Sequence, residues 1–161
     1  LIPAVREATT LPLIAAGGIG TGEAIFATMA LGAEGVQIGT RFALTDESSA
    51  SDIFKEYCLR LNEGDTKLLL KKLAPTRLVT NSFRDKVEVT EARGASAEEL
   101  RELLGRGRAK KGIFEGDLEE GELEIGQVAA LFRRRQSVDE VMKELLEGYR
   151  RASDKVSSFL L

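Results

Sequence analysis

The chain has 161 residues, 43% of them hydrophobic and 30% charged, a balance that supports a packed core and excludes the disordered and fibrous classes. Lys and Arg number 23 against 26 for Asp and Glu, and the resulting net charge of -3 offers no broad field for nucleic acid or anionic lipid. With one cysteine and no histidine, the chain excludes an internal disulfide, a Cys-His nucleophile and the usual Cys/His zinc sites. No apolar run approaches the roughly 20 residues of a bilayer span and no signal peptide opens the sequence, so a cytoplasmic protein is expected.

Leu1 to Ala8 reads as the end of a helix, with Leu1, Val5 and Ala8 on one face, running directly into a strand. Such an opening, at Leu1 and not at a methionine, is expected inside a longer protein. Leu11 to Ala16 is a near-continuous apolar run ending in Gly17-Gly18, the pattern of a strand buried on both faces of a parallel sheet. Thr21 can cap the next helix, whose Ala24, Ile25, Ala27, Thr28 and Leu31 form a small-residue face and which stops at Gly32. Gly35 to Ile38 is a second short buried strand, ending in Gly39-Thr40. Together these make a β-α-β unit of roughly thirty residues with a glycine turn after each strand.

Beyond Arg41-Phe42 the pattern turns to helices and loops. Ser51 or Asp52 opens a helix with Ile53, Phe54, Tyr57, Cys58 and Leu61 inward, which makes Cys58 a thiol at the edge of the core. Lys67 to Leu73 reads as a shorter helical piece before Pro75, and Thr76 to Val89 as extended or irregular. Ser96 with Glu99 forms a capping box ahead of Leu100, Leu103 and Leu104, and Gly105 with Gly107 ends that helix. Gly112 to Gly126 is an acidic, glycine-punctuated loop, Gln127 to Arg135 a helix, and Ser137 with Glu140 caps a last helix carrying Val138, Val141, Met142, Leu145, Leu146 and Tyr149. The tail is expected to fray from Ala152. The basic runs Arg106 to Lys111 and Arg133 to Arg135 read as solvated helix faces or caps.

The chemistry centres on the two glycine turns. A dianionic phosphate needs several converging main-chain N–H donors, and glycine lets the backbone approach without a Cβ in the way. In a (β/α)8 barrel the loops after strands seven and eight are where a cofactor phosphate commonly binds. Two strands cannot close a barrel, so this reading expects six more before Leu1. Thr40 can add a hydroxyl, and Gly20-Thr21-Gly22 would place further N–H groups at a helix start. Gln37, the one long polar side chain on an apolar strand, suits either a hydrogen bond to a neighbouring loop or a cofactor contact.

Leu13 to Phe42, and above all the stretch GVQIGTRF from Gly35 to Phe42, resembles the phosphate-binding region of the nitronate monooxygenase (2-nitropropane dioxygenase) family, which includes the flavin-dependent enoyl-acyl-carrier-protein reductases. Gly64 to Phe83 and Lys110 to Leu131 are similar to the family's C-terminal region. The resemblance implies FMN at the top of a barrel, its phosphate held by the main chain of Gly17, Gly18, Gly39 and Thr40, with Ala16, Gln37 and Ile38 lining the approach. It also implies a catalytic histidine upstream of this region, so no catalytic residue is expected here. The family's usual His-Pro pair is replaced by Ser51 and Asp52, the mark of a diverged copy.

Asp117, Glu119, Glu120, Glu122 and Glu124 lack the spacing of a calcium loop, and no metal is expected there. In the resembling family this region joins helices folded over the barrel mouth, which would make Gly116, Gly121, Gly126 and Gln127 shapers of a substrate cover. Arg41 and Arg77 sit beside predicted functional loops and suit either neutralisation of a phosphate or carboxylate, or ordinary surface salt bridges. The expected fold class is therefore α/β, the last two strands of a (β/α)8 TIM barrel followed by a mainly helical region. Its expected divisions are 1-46 for the phosphate-binding β-α-β unit, 47-152 for a helical cover and 153-161 for a disordered tail. The expected function is FMN-dependent nitronate oxidation with O2. The alternatives are enoyl-thioester reduction by NAD(P)H, a non-redox phosphate-binding barrel, and a helical interaction module without activity.

Overall fold

The computed structural model describes residues 1–159, and these divide into two compact units, Leu1–Glu47 with Gln136–Leu161 and Ser48–Arg135. In the first unit the elements are α1 (Ile2–Ala8), β1 (Ile14–Ala16), α2 (Gly22–Ala30), β2 (Gly35–Gln37) and the single-turn α3 (Thr40–Ala43). Thr21 caps α2 by accepting a hydrogen bond from the Ala24 N–H at 3.2 Å, and Gly32 leaves it at φ +107°. Strands β1 and β2 pair in parallel with Ile14 opposite Gly35, Ala15 opposite Val36 and Ala16 opposite Gln37.

The sheet is not buried on both faces as the apolar runs suggest. Ala15 packs with Ile19 and Ala33 against Ile2, Ala24, Ile25 and Val36, whereas Ile14 on the other face is 55% exposed. Side chains alternate across a strand, so Ile14, Ala16 and Gln37 share the open face. The division of the chain also differs from the expected 1-46 and 47-152: the last helix belongs with the glycine turns. That helix, which becomes α7 below, begins at a Ser137–Glu140 capping box and runs from Val138 to Ser158 without fraying at Ala152. Residues 160 and 161 of the expected tail lie outside the described residues. Helix α7 packs along α2 through an edge-to-face contact of Phe26 and Tyr149, with ring centroids 5.6 Å apart.

The second unit holds α4 (Asp52–Cys58), β3 (Thr66–Leu69), β4 (Thr76–Val79), α5 (Ser82–Ala92), α6 (Ala97–Leu104), a π-helical turn at Lys110–Phe114 and a 3-10 turn at Gln127–Leu131, after which α7 of the first unit follows. Two expectations fail here. Lys67 to Leu73 is not helical: β3 and β4 form an antiparallel hairpin, with Thr66 opposite Val79 and Leu69 opposite Thr76. A helix of seven residues before a proline gains little by itself, and the hairpin instead buries Leu69, Leu70, Leu78 and Val79. Leu70, at φ +56°, turns the chain. Thr76 to Val89 is extended as expected only to Val79 and is helical from Ser82, because Asn81 caps α5: its Oδ1 accepts from the Arg84 N–H at 2.8 Å while its Nδ2 donates to the carbonyls of Leu118 and Gly121. Phe83 and Val87, one turn apart, enter the core with Leu100 and Ala95. The helix expected over Gln127 to Arg135 shrinks to the 3-10 turn.

Several polar side chains have structural partners that spacing did not suggest. Arg108 lies over the Phe83 ring, 4.3 Å from its centroid, and donates to the carbonyls of Leu103 and Leu104 at the end of α6 and of Glu120, so of the two expected roles it is a cap and not a solvated face residue. Arg133 donates to the Leu61 carbonyl at 2.7 Å and Arg135 pairs with Asp52 at 2.8 Å. Ile53 faces solvent, while Phe54 and Cys58 are wholly buried, and burial pushes the Cys58 thiol up to about 12. Asp117 pairs with Lys111 and accepts hydrogen bonds from the N–H groups of Glu120 and Glu119, contacts that in this order hold its carboxyl down at about 2. Glu122 is 7% exposed; burial first, and the charge of Glu124 second, push its carboxyl up to about 7.

Candidate phosphate-binding site

Parallel register decides where the two glycine turns go. Ala16 and Gln37, the last residues of β1 and β2, are direct partners, so Gly17-Gly18 and Ile38-Gly39-Thr40 leave the same edge of the sheet side by side. Gly17 and Gly18 stand at φ +100° and +70°, in the left-handed region where a Cβ is costly. Among the described residues, a Cβ built on Gly17, Gly18 or Gly39 would meet no atom within 4 Å beyond its own chain neighbours. The space above all three is open, which is what an anion approaching main-chain N–H groups needs. The turn residues thus fit a phosphate group, a fit that rests on bare backbone beside open space and not on a ring of charged side chains.

The named residues do not all face that opening. Ala16 and Gln37 lie on the open face of the sheet, exposed and side by side. Ile38 has the parity of Val36, and both line an apolar cavity of about 420 Å³ with Ile25, Met29, Phe42 and Met142. Only the main chain of Ile38 can reach the turn side. Nor does Gly22 serve as part of the donor set: it is buried, and a Cβ on it would stand 2.1 Å from the Leu145 carbonyl oxygen. Its smallness lets α2 meet α7. Glu23 next to it has its carboxyl held below the usual range by its own main-chain N–H, with Arg151 adding to the effect.

Of the two roles weighed for Arg41, the structure shows the salt bridge, made from a buried position. Its side chain is 7% exposed; Nη1 donates to the Gly20 carbonyl at 2.7 Å and Nη2 reaches Gln136 Oε1 at 3.4 Å and the Glu144 carboxylate. Gln136 in turn donates to the other Glu144 oxygen at 2.6 Å. Sequence reasoning missed this cluster because its members are as many as 103 positions apart. Arg77 bonds across its own hairpin to Thr66 Oγ1 at 3.2 Å. In the second unit, Gly121 packs so closely that a Cβ on it would lie 2.2 Å from the Gly112 Cα. Gly148, a glycine inside an amphipathic helix where it costs about 1 kcal/mol, marks the stretch of backbone that Gly22 meets.

The nitronate monooxygenase family model matches residues 1–148. A probable nitronate monooxygenase of Staphylococcus saprophyticus is 40% identical over 90 residues, 54% of this chain and 25% of that protein. The structure of FabK from Thermotoga maritima superposes with a TM-score of 0.90 at 32% identity, covering 99% of this chain and 50% of that one. Nitroalkane oxidase from Streptomyces ansochromogenes gives 0.77 at 29% identity, covering 97% and 44%. The chain thus spans half or less of each of these three proteins.

Proposed function

This chain belongs to the nitronate monooxygenase family, and on that premise we propose that it is the C-terminal part of a flavin-dependent (β/α)8-barrel oxidoreductase, carrying the cradle for the FMN phosphate. The observation that carries the reading is the pairing of Ala16 with Gln37, which sets two glycine turns at one sheet edge beneath open space. Bound there, FMN would supply the electron transfer. The residues of the chain would do the holding. Main-chain N–H groups of Gly17, Gly18, Gly39 and Thr40 would receive the phosphate, the Thr40 hydroxyl would add a donor, and Ala16 and Gln37 would line the approach. The chain contains no histidine, so the base that manages a carbon-bound proton belongs to the rest of the protein.

Oxidation of alkyl nitronates with O2 is the primary reading, supported by the family match and by the likeness to nitroalkane oxidase. The second reading is reduction of an enoyl thioester by NAD(P)H; the resemblance extends to enzymes of that kind, and the likeness to FabK covers 99% of the chain. The complete protein, purified, should be yellow. Oxygen uptake with an alkyl nitronate against NAD(P)H oxidation with an enoyl thioester separates the two, and a colourless protein that binds no flavin would sink both.

A further inference from the structure

We propose that Arg41 is a positioning residue, which sets the spacing of the two glycine turns and thereby the affinity of the phosphate cradle. The inference rests on the FMN reading above and concerns the same site. Arg41 follows the second turn directly, at the second residue of α3. Its Nη1 holds the carbonyl of Gly20, which ends the first turn just before the Thr21 cap of α2. One side chain thus spans from Gly39-Thr40 to Gly17-Gly20, and no covalent path shorter than about twenty residues does the same.

Charge and burial explain why an arginine does this. The guanidinium is planar and always charged, with five donors in a fixed fork, so it can bond the Gly20 carbonyl on one side and Gln136 and Glu144 on the other without changing rotamer. A lysine ammonium has no such fork. Glu144 answers the buried charge, and Gln136, itself buried, holds the second Glu144 oxygen while its main-chain carbonyl accepts from the Asp46 N–H at 3.0 Å. The carboxylate therefore stays on Arg41, and the arginine stays on Gly20. With its charge matched from the α7 side, Arg41 acts on the phosphate through backbone geometry and not as a direct ligand.

The test uses the complete protein with Arg41→Lys and Glu144→Gln. FMN affinity is read by flavin fluorescence on the apoprotein, the phosphate environment by phosphorus NMR of bound FMN, and apoprotein stability by thermal melting. Arg41→Lys should weaken FMN binding about tenfold and move the bound phosphorus resonance towards that of free FMN, with the flavin visible spectrum unchanged. Glu144→Gln lies on α7, remote from the turns in sequence and half-exposed, and should shift the same resonance the same way by a smaller amount. It decides the matter if Arg41→Lys fails to fold. Wild-type affinity and an unmoved resonance in the folded variants, even with a lower melting temperature, would overturn the inference and leave the cradle standing. A wild-type protein that binds no FMN, or whose bound phosphorus signal matches free FMN, would remove the cradle and the inference with it.

Discussion

Gly22 approaches Leu145 so closely that a Cβ on the glycine would stand 2.1 Å from the leucine carbonyl oxygen, with the Tyr149 nitrogen at 2.2 Å. Backbone cannot step aside as a side chain can. Gly22→Ala should therefore push α2 away from α7 and cost roughly 3 kcal/mol. Across the same contact, a Cβ on Gly148 meets only the carboxylate end of Glu23, at 2.9 Å. Gly148→Ala should stay within about 1 kcal/mol of the parent, helped by the better helix propensity of alanine. Urea melting of the two variants side by side is the check, and equal stabilities would contradict the packing described here.

The cradle is best probed at Gly39. Its φ of −95° suits any L-residue and its Cβ direction is empty, unlike Gly18 at φ +70°, where a β-branched residue adds backbone strain to any lost contact. Gly39→Val in the complete protein should change folding stability by less than about 1 kcal/mol and lower FMN affinity at least about tenfold. Flavin content after gel filtration reports the outcome. A variant that keeps its full complement of flavin would count against the phosphate assignment.

Glu122 should give the protein a pH-dependent stability. Its folded pKa is raised to about 7 by burial and by Glu124, so between the ordinary carboxylate range and neutrality the folded state holds a proton that the unfolded state has lost. Its contribution is intact in acid and fades as pH rises through about 7. Glu122→Gln should remove that slope and stabilise the protein at pH about 8 by roughly 1–2 kcal/mol, less than full linkage because Glu124 beside it is exposed. Denaturant melts at several pH values test this, and an unchanged slope in the variant refutes it.

The 161-residue chain expressed alone should self-associate. The open face of β1 and β2 exposes Ile14, and on the other face the apolar cavity is rimmed by Met142 and Leu146, 43% and 52% exposed. An unpaired parallel edge next to such a surface invites association. Light scattering should show multimers and FMN binding should be weak. A monomeric, yellow chain with one cooperative melt would mean that the two strands belong to a smaller closed fold.

Local signals in the sequence were sufficient wherever one turn of chain decides the outcome. The Thr21 cap, the capping boxes at Ser96 and Ser137, the glycine stop at Gly32 and the β-α-β unit with its two turns all depend on residues within a few positions of each other. The family likewise follows from one contiguous stretch, Gly35 to Phe42, and the family match bears it out. Tertiary structure alone decided the rest. Lys67 to Leu73 has helical composition, but a strand partner ten or so residues away buries more of it than a short helix could. The return of α7 to the first unit, the approach of Gly22 to Leu145 and the grip of Arg41 on Gly20 join residues that are distant in the chain. Such contacts leave no periodicity to read, because their energy lies in the fit of surfaces that only the folded backbone brings together.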